Sequence, residues 1–152
     1  MTEILTYRRS ETGLWRYEFV RNGQRFGSVS STSSPRDPAR IEGPGFSWSS
    51  LFDLESTIVP GLCRKVMDSR TGEEVFRMIW WDWELYEVRS GDRSLQVEIR
   101  NGSYYFAEPG MPPAAMAEKM GGESPYFRTL FFDPVSEGYM LMALAFPALR
   151  FC

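Results

Sequence analysis

The sequence of 152 residues contains no histidine. This absence excludes Ser-His-Asp and Cys-His catalysis, histidine ligation of a metal and a histidine pH switch. Cysteine is scarce as well: Cys63 and Cys152 lie far apart and form no CxxC pair. Neither a disulfide framework nor a zinc site is therefore expected. We expect no cofactor and no enzymatic activity.

Long apolar runs and a strong net charge are also lacking. The N-terminal residues do not contain the apolar stretch of a secretory signal, and no run approaches the roughly 20 apolar residues that span a bilayer. We therefore expect a cytoplasmic protein without a transmembrane span. The net charge of -3 does not favour nucleic acid as a partner.

The composition is that of a folded protein. Hydrophobic residues make up 43% and charged residues 24% of the chain, which is close to ordinary globular usage. A chain of this length forms one core more readily than two. The expectation is a single domain over residues 1–152.

Alternating patterns predict an antiparallel β protein. Leu14 to Val20 alternates apolar and polar residues before Asn22-Gly23, a pair typical of a tight hairpin turn, and this turn predicts Phe19 opposite Phe26. A second hairpin at Asn101-Gly102 predicts Ile99 opposite Tyr104 and Val97 opposite Phe106. Further predicted strands are Phe46 to Leu54, Leu62 to Met67, Glu74 to Trp81, Trp83 to Arg89 and Tyr126 to Phe132.

The remaining segments predict one loop and two helices. Ser28 to Pro38 is rich in serine and proline, which indicates a loop. Prolines before and glycines after 113–120 predict a short helix there. Tyr139 to Leu149 has no charged residue and predicts a helix that Asp133 and Pro134 begin and that Pro147 bends or ends.

A helix that is apolar on every side must be enclosed by protein. A sheet closed around it would cover all its faces and leave no exposed edge strand. The predicted fold is mainly β: an antiparallel β-barrel enclosing a hydrophobic C-terminal α-helix, with the short helix near 113–120.

This combination resembles the tubby C-terminal-like superfamily, in particular its small LURP-one-related members. The resemblance is carried by the strand spacing from Leu62 to Ala107, the stretch Val66 to Phe76 and the closing Gly138 to Ala145. It implies a β-barrel around a hydrophobic helix, and binding of lipid headgroups through basic residues on the barrel surface in some relatives. We therefore expect a binding module or scaffold for a lipid headgroup or a protein partner.

Four residues are candidates for binding: Arg64, Lys65, Trp81 and Trp83. Arg64 and Lys65 form one of two adjacent basic pairs, the other being Arg8-Arg9, but neighbours on a strand face opposite sides and do not form a clamp by themselves. The tryptophans belong to an aromatic cluster in which Trp81, Trp83 and Leu85 are expected in the core.

Two alternatives remain open. Gly13-Leu14-Trp15 is similar to the Gly-x-Trp of lipocalin-type barrels, which would bind a small apolar ligand in an open lumen. Asp82 and Glu84, two residues apart, would share one face of a strand, as the paired carboxylates of a glycoside hydrolase share a site.

Overall fold

The computed structural model describes residues 1–11, 14–32, 38–52, 63–82, 84–122 and 126–149. Within them lie twelve β-strands and one α-helix. They are β1 (Thr2–Glu11), β2 (Leu14–Arg21), β3 (Gln24–Thr32), β4 (Ala39–Gly43), β5 (Phe46–Phe52), β6 (Cys63–Asp68), β7 (Glu74–Asp82), β8 (Leu85–Ser90), β9 (Arg93–Arg100), β10 (Ser103–Ala107), β11 (Ala115–Met120), β12 (Tyr126–Phe131) and α1 (Glu137–Leu149).

The strands form a closed antiparallel barrel. Each strand pairs with its neighbours in sequence, and β1 pairs with β12 to complete the ring. Closure removes the exposed strand edges, as predicted. Side chains alternate between the interior and the outer face, so that along β9 Leu95, Val97 and Ile99 are buried while Gln96 and Glu98 are exposed.

The helix α1 occupies the interior of this barrel. Every residue from Met140 to Leu149 is buried, and the Phe146 ring contacts Tyr86 of β8 and both Tyr104 and Phe106 of β10. On β4, a Cβ atom added to Gly43 would lie only 3.2 Å from the Leu141 side chain. The prediction of an enclosed apolar helix is confirmed.

The helix begins later than predicted. Its N-cap is Ser136, whose hydroxyl accepts a hydrogen bond from the Tyr139 backbone N–H at 3.2 Å, rather than Asp133. Pro147 does not end the helix, which continues to Leu149. A proline here costs one hydrogen bond within the last turns, where burial on all sides holds the chain in place.

The short helix predicted near 113–120 is wrong, because this segment contains β11. Ala115 and Ala117 face inward, whereas Met116 and Glu118 face outward. β11 pairs with both β10 and β12, and α1 packs against it. The small inward alanines leave room for the helix, so tertiary packing overrides the helical propensity of these residues.

Both predicted hairpin turns are confirmed, but only one predicted register is. Ile99 lies opposite Tyr104 and Val97 opposite Phe106. Phe19 instead pairs with Gly27, because a β-bulge shifts the register between Phe19 and Val20. Gly27 lies so close to β4 that an added Cβ would be 2.2 Å from the Glu42 carbonyl oxygen.

The predicted loop from Ser28 to Pro38 is wrong for Ser28 to Thr32. Ser28 to Thr32 continue β3, and Ser28 to Ser30 pair with β4. Residues 33–37 lie outside the described part of the chain. The sequence did not predict the strands β1 and β4.

Among the described residues, no helix is long and apolar enough to cross a membrane.

Candidate anion-binding face

Arg64 and Lys65 lie on opposite sides of β6. Arg64 shares the inward face with Val66, is only 6% exposed, and its Nη1 donates a hydrogen bond to Ser50 Oγ at 3.0 Å. Lys65 lies on the outer face, opposite Leu51 and Arg77. Of this pair, only Lys65 is therefore placed to meet a ligand at the outer surface.

Trp81 lies on the outer surface rather than in the core. It is 46% exposed, and its Nε1 donates a hydrogen bond to Glu87 Oε1 at 3.1 Å. The expectation of a core position is wrong for Trp81 and for Leu85, which is 36% exposed. A register shift between Trp80 and Asp82 displaces these side chains. Trp83 lies outside the described residues.

The carboxylates considered for hydrolysis do not lie in a cleft. Asp82 ends β7, Glu84 precedes β8, and both are exposed at this hairpin. The open lumen of a lipocalin-like barrel is also missing from the described structure, because α1 fills it. In the described part of the chain there is no group of three or more His, Cys, Asp or Glu side chains that could bind a metal.

A cationic row crosses β6, β7 and β8 on the outer face. In the strand register, Lys65 lies opposite Arg77, and Arg77 lies opposite Arg89. Glu74 binds the Arg77 guanidinium at 2.7 Å, and Glu87 binds that of Arg89. These two carboxylates already compensate most of the positive charge of this row.

The lowered pKa of Glu87 agrees with its ion pair to Arg89. Burial alone would raise the pKa of Glu87, but hydrogen bonds from Arg89 and Trp81 outweigh it and lower the pKa. Glu87 therefore stays ionised and keeps Arg89 engaged.

A second row of cations crosses β1 to β4, and among the described residues only Arg9 of this row forms an ion pair. Trp15, Tyr17 and Ile41 pack on the core, so the alternating residues Arg16 and Arg40 lie on the outer face. In the strand register, Arg9 lies opposite Arg16, Arg16 lies opposite Ser30, and Ser30 lies opposite Arg40. We call Arg9, Arg16 and Arg40 the arginine row.

Arg16 is the distinctive member of the arginine row. It is half-buried, and its Nε is shielded from solvent without a hydrogen-bond partner. Within the described residues, the side chain of Arg16 makes no hydrogen bond and no ion pair. A buried polar atom without a partner is unusual in a folded protein.

Two carboxylates lie near the arginine row. Glu18 forms an ion pair with Arg9 at 3.3 Å, and Glu42 follows Arg40 by two residues on the same face of β4. Three arginines against two glutamates leave a local excess of one positive charge. Arg16 lies at the centre of this excess, between Arg9 and Ser30.

Sequence reasoning missed Arg16 and Arg40. In the sequence, Arg16 is one of the polar residues in the alternating segment Leu14 to Val20. Its neighbours become visible only through the pairing of β2 with β1 and β3, and of β3 with β4. A prediction of β1 and β4 with their registers could have found the row.

In comparisons with protein-family models, curated proteins and solved structures, the chain matches none of them.

Proposed function

We propose that this protein is a non-enzymatic, tubby-like binding module that binds an anionic lipid headgroup through the arginine row. The observation that carries the proposal is the half-buried Arg16 side chain, which has no partner among the described residues and lies between Arg9 on β1 and, beyond β3, Arg40 on β4. The enclosed C-terminal helix supports the tubby-like assignment, since it is the feature that the resemblance implies.

The chemistry of Arg16 favours a phosphate or carboxylate group. A guanidinium presents a planar set of N–H donors that matches two oxygens of such an anion, and these charge-assisted hydrogen bonds are roughly twice as strong as neutral ones. Arg40, two strands or about 10 Å away, would contribute a second cationic contact.

The surroundings of the arginine row favour a lipid over a soluble anion. Tyr7, 40% exposed, lies two residues from Arg9 on the outer face of β1. Leu51, 45% exposed, lies two residues from Ser49, the partner of Arg40. Apolar side chains at both ends of a cationic strip are typical of proteins that bind the surface of a bilayer.

Vesicle sedimentation tests the proposal. Vesicles of phosphatidylcholine with a phosphoinositide should bind the protein in 50 mM NaCl, with binding falling as NaCl rises, and pure phosphatidylcholine vesicles should not. Arg16→Gln should weaken binding about tenfold. Arg100→Gln is the matched control: it removes one charge on β9, remote from the arginine row, and should leave binding unchanged.

Three results would contradict the lipid assignment. Absence of binding in 50 mM NaCl would leave a protein as the expected partner. Equal loss in the Arg16 and Arg100 variants would mean that the interaction is unspecific. Complete competition by a soluble inositol phosphate, with no added affinity from the bilayer, would assign the site to a soluble anion.

A further inference from the structure

A cavity remains at the end of the barrel where α1 begins. Its volume is about 270 Å³, and its walls come from β5, β7, β8 and β9 together with the first two turns of the helix. We call it the mouth pocket. It is separate from the arginine row, since none of Arg9, Arg16 and Arg40 lines it.

The deep walls of the mouth pocket are apolar and partly aromatic. Phe46 and Trp48 meet at 5.3 Å between ring centroids, and Trp48 and Phe76 meet at 5.5 Å, both pairs edge to face. Such pairs hold the rings in fixed orientations. Aliphatic walls complete the surface: Val75, Val88, Leu95 and Met142.

The charged groups of the mouth pocket lie at its rim and neutralise one another. Arg93 Nη2 lies 3.2 Å from Glu108 Oε1, and both side chains are largely exposed, at 85% and 55%. Tyr139 also lines the pocket, and burial, with a contribution from Glu108, raises its pKa to about 12. The phenol is therefore uncharged at neutral pH, and the lining side chains carry no net charge.

We propose that the mouth pocket binds a small, uncharged aromatic molecule of about two fused rings. An apolar cavity of about 150 Å³ is sufficient for benzene, so a cavity of about 270 Å³ accommodates a larger ring system. A charged ligand would lose hydration against apolar walls without gaining an unpaired partner at the rim. The ring faces of Trp48 and Phe76 would instead pack against an aromatic ligand.

Titration with 2-naphthol, which is neutral at pH 7, tests this inference by calorimetry and by protein NMR. We expect saturable binding at one site, with shifts of the Trp48 indole and the Val88, Leu95 and Met142 methyl signals. The charged analogues 2-naphthoate and 2-naphthylmethylammonium should bind at least about tenfold more weakly. Equal binding of a charged analogue, or no saturable binding of 2-naphthol, would overturn the proposal.

Two variants at one position separate filling of the pocket from disruption of the fold. Gly138 lines the pocket on the helix, and an added Cβ would lie 3.8 Å from the Phe46 ring, an ordinary contact. Gly138→Ala should keep binding within about threefold, whereas Gly138→Leu should fill the space and reduce it more than tenfold. Both changes favour the helix, so folding should persist.

A folded Gly138→Leu variant that still binds 2-naphthol with the wild-type affinity would contradict the proposed location. If that variant does not fold, the NMR shifts of the wild-type protein decide. Shifts confined to residues away from the mouth pocket would then overturn the proposal.

Discussion

The Phe146 ring meets the Tyr86 ring edge to face, with the centroids 5.1 Å apart and the planes at 89°. One partner belongs to the helix and the other to the wall of the barrel. Because Phe146 is fully buried and also contacts Tyr104 and Phe106, this contact fixes the helix inside the barrel.

Truncation of the Phe146 side chain should therefore be costly. Phe146→Ala would leave a cavity among three aromatic rings, and we expect a loss of about 3–5 kcal/mol in the free energy of unfolding. Chemical denaturation measures it. Met111→Ala, at a residue 61% exposed, should change stability by less than about 0.5 kcal/mol. Similar small effects of both substitutions would contradict the buried position of Phe146.

Removal of the Tyr139 hydroxyl should stabilise the protein. This oxygen is buried, and among the described residues it has no hydrogen-bond partner. Since an unpaired buried polar group is unfavourable, Tyr139→Phe should raise the free energy of unfolding by about 1 kcal/mol. A loss of stability would show that the hydroxyl has a partner in solution.

The same tyrosine should make stability depend on alkaline pH. Its pKa is raised from 10.0 to about 12 in the folded protein, chiefly by burial. The folded state thus holds the phenolic proton more tightly than the unfolded state, so stability is lost as the pH rises from 10 to 12. Thermal melting should show a steeper fall for the wild type than for Tyr139→Phe in this interval. Parallel curves would contradict the raised pKa.

Gly27 should not tolerate a side chain. A Cβ atom at this position would lie 2.2 Å from the Glu42 carbonyl oxygen, so β3 and β4 would have to separate. We expect Gly27→Ala to cost about 3 kcal/mol or more in unfolding experiments. Gly122→Ala is the control, because nothing lies within 4 Å of its added Cβ. A nearly neutral Gly27→Ala would refute the close approach of the two strands.

Substitution of Arg64 should lower stability, whereas substitution of Arg16 should weaken vesicle binding. Arg64→Gln removes a buried charged donor to Ser50 and should cost about 2 kcal/mol or more, with vesicle binding retained by the protein that folds. Arg16→Gln should change stability by less than about 1 kcal/mol and weaken vesicle binding. A large loss of stability in Arg16→Gln, together with weakened vesicle binding in a folded Arg64→Gln, would contradict the orientations of both side chains.

Local sequence signals predicted much of the barrel, and their limits are physical. Alternation around Asn101-Gly102 was sufficient for a two-residue turn with a regular register. The same reasoning failed at Asn22-Gly23, because the close packing of Gly27 on β4 and the bulge depend on a distant strand. The strand β11 was concealed for the same reason: its alanines are explained only by the helix behind them.

The candidate site was less predictable than the fold. Arg64 and Lys65 are adjacent in the sequence and lie on opposite faces of β6, whereas Arg16 and Arg40 are distant in the sequence and lie on one face. The grouping follows from strand registers across four strands. A single sequence does not show directly which residues of these strands lie opposite one another.

The central claim is that α1 fills the barrel, which leaves the outer face and the mouth pocket as the proposed binding sites. The most direct measurement is a nuclear Overhauser spectrum of the intact protein with selectively labelled aromatic residues. The account predicts cross-peaks from the Phe146 ring to the rings of Tyr86, Tyr104 and Phe106. A well-folded protein that lacks these cross-peaks, with Phe146 accessible to solvent, would contradict it.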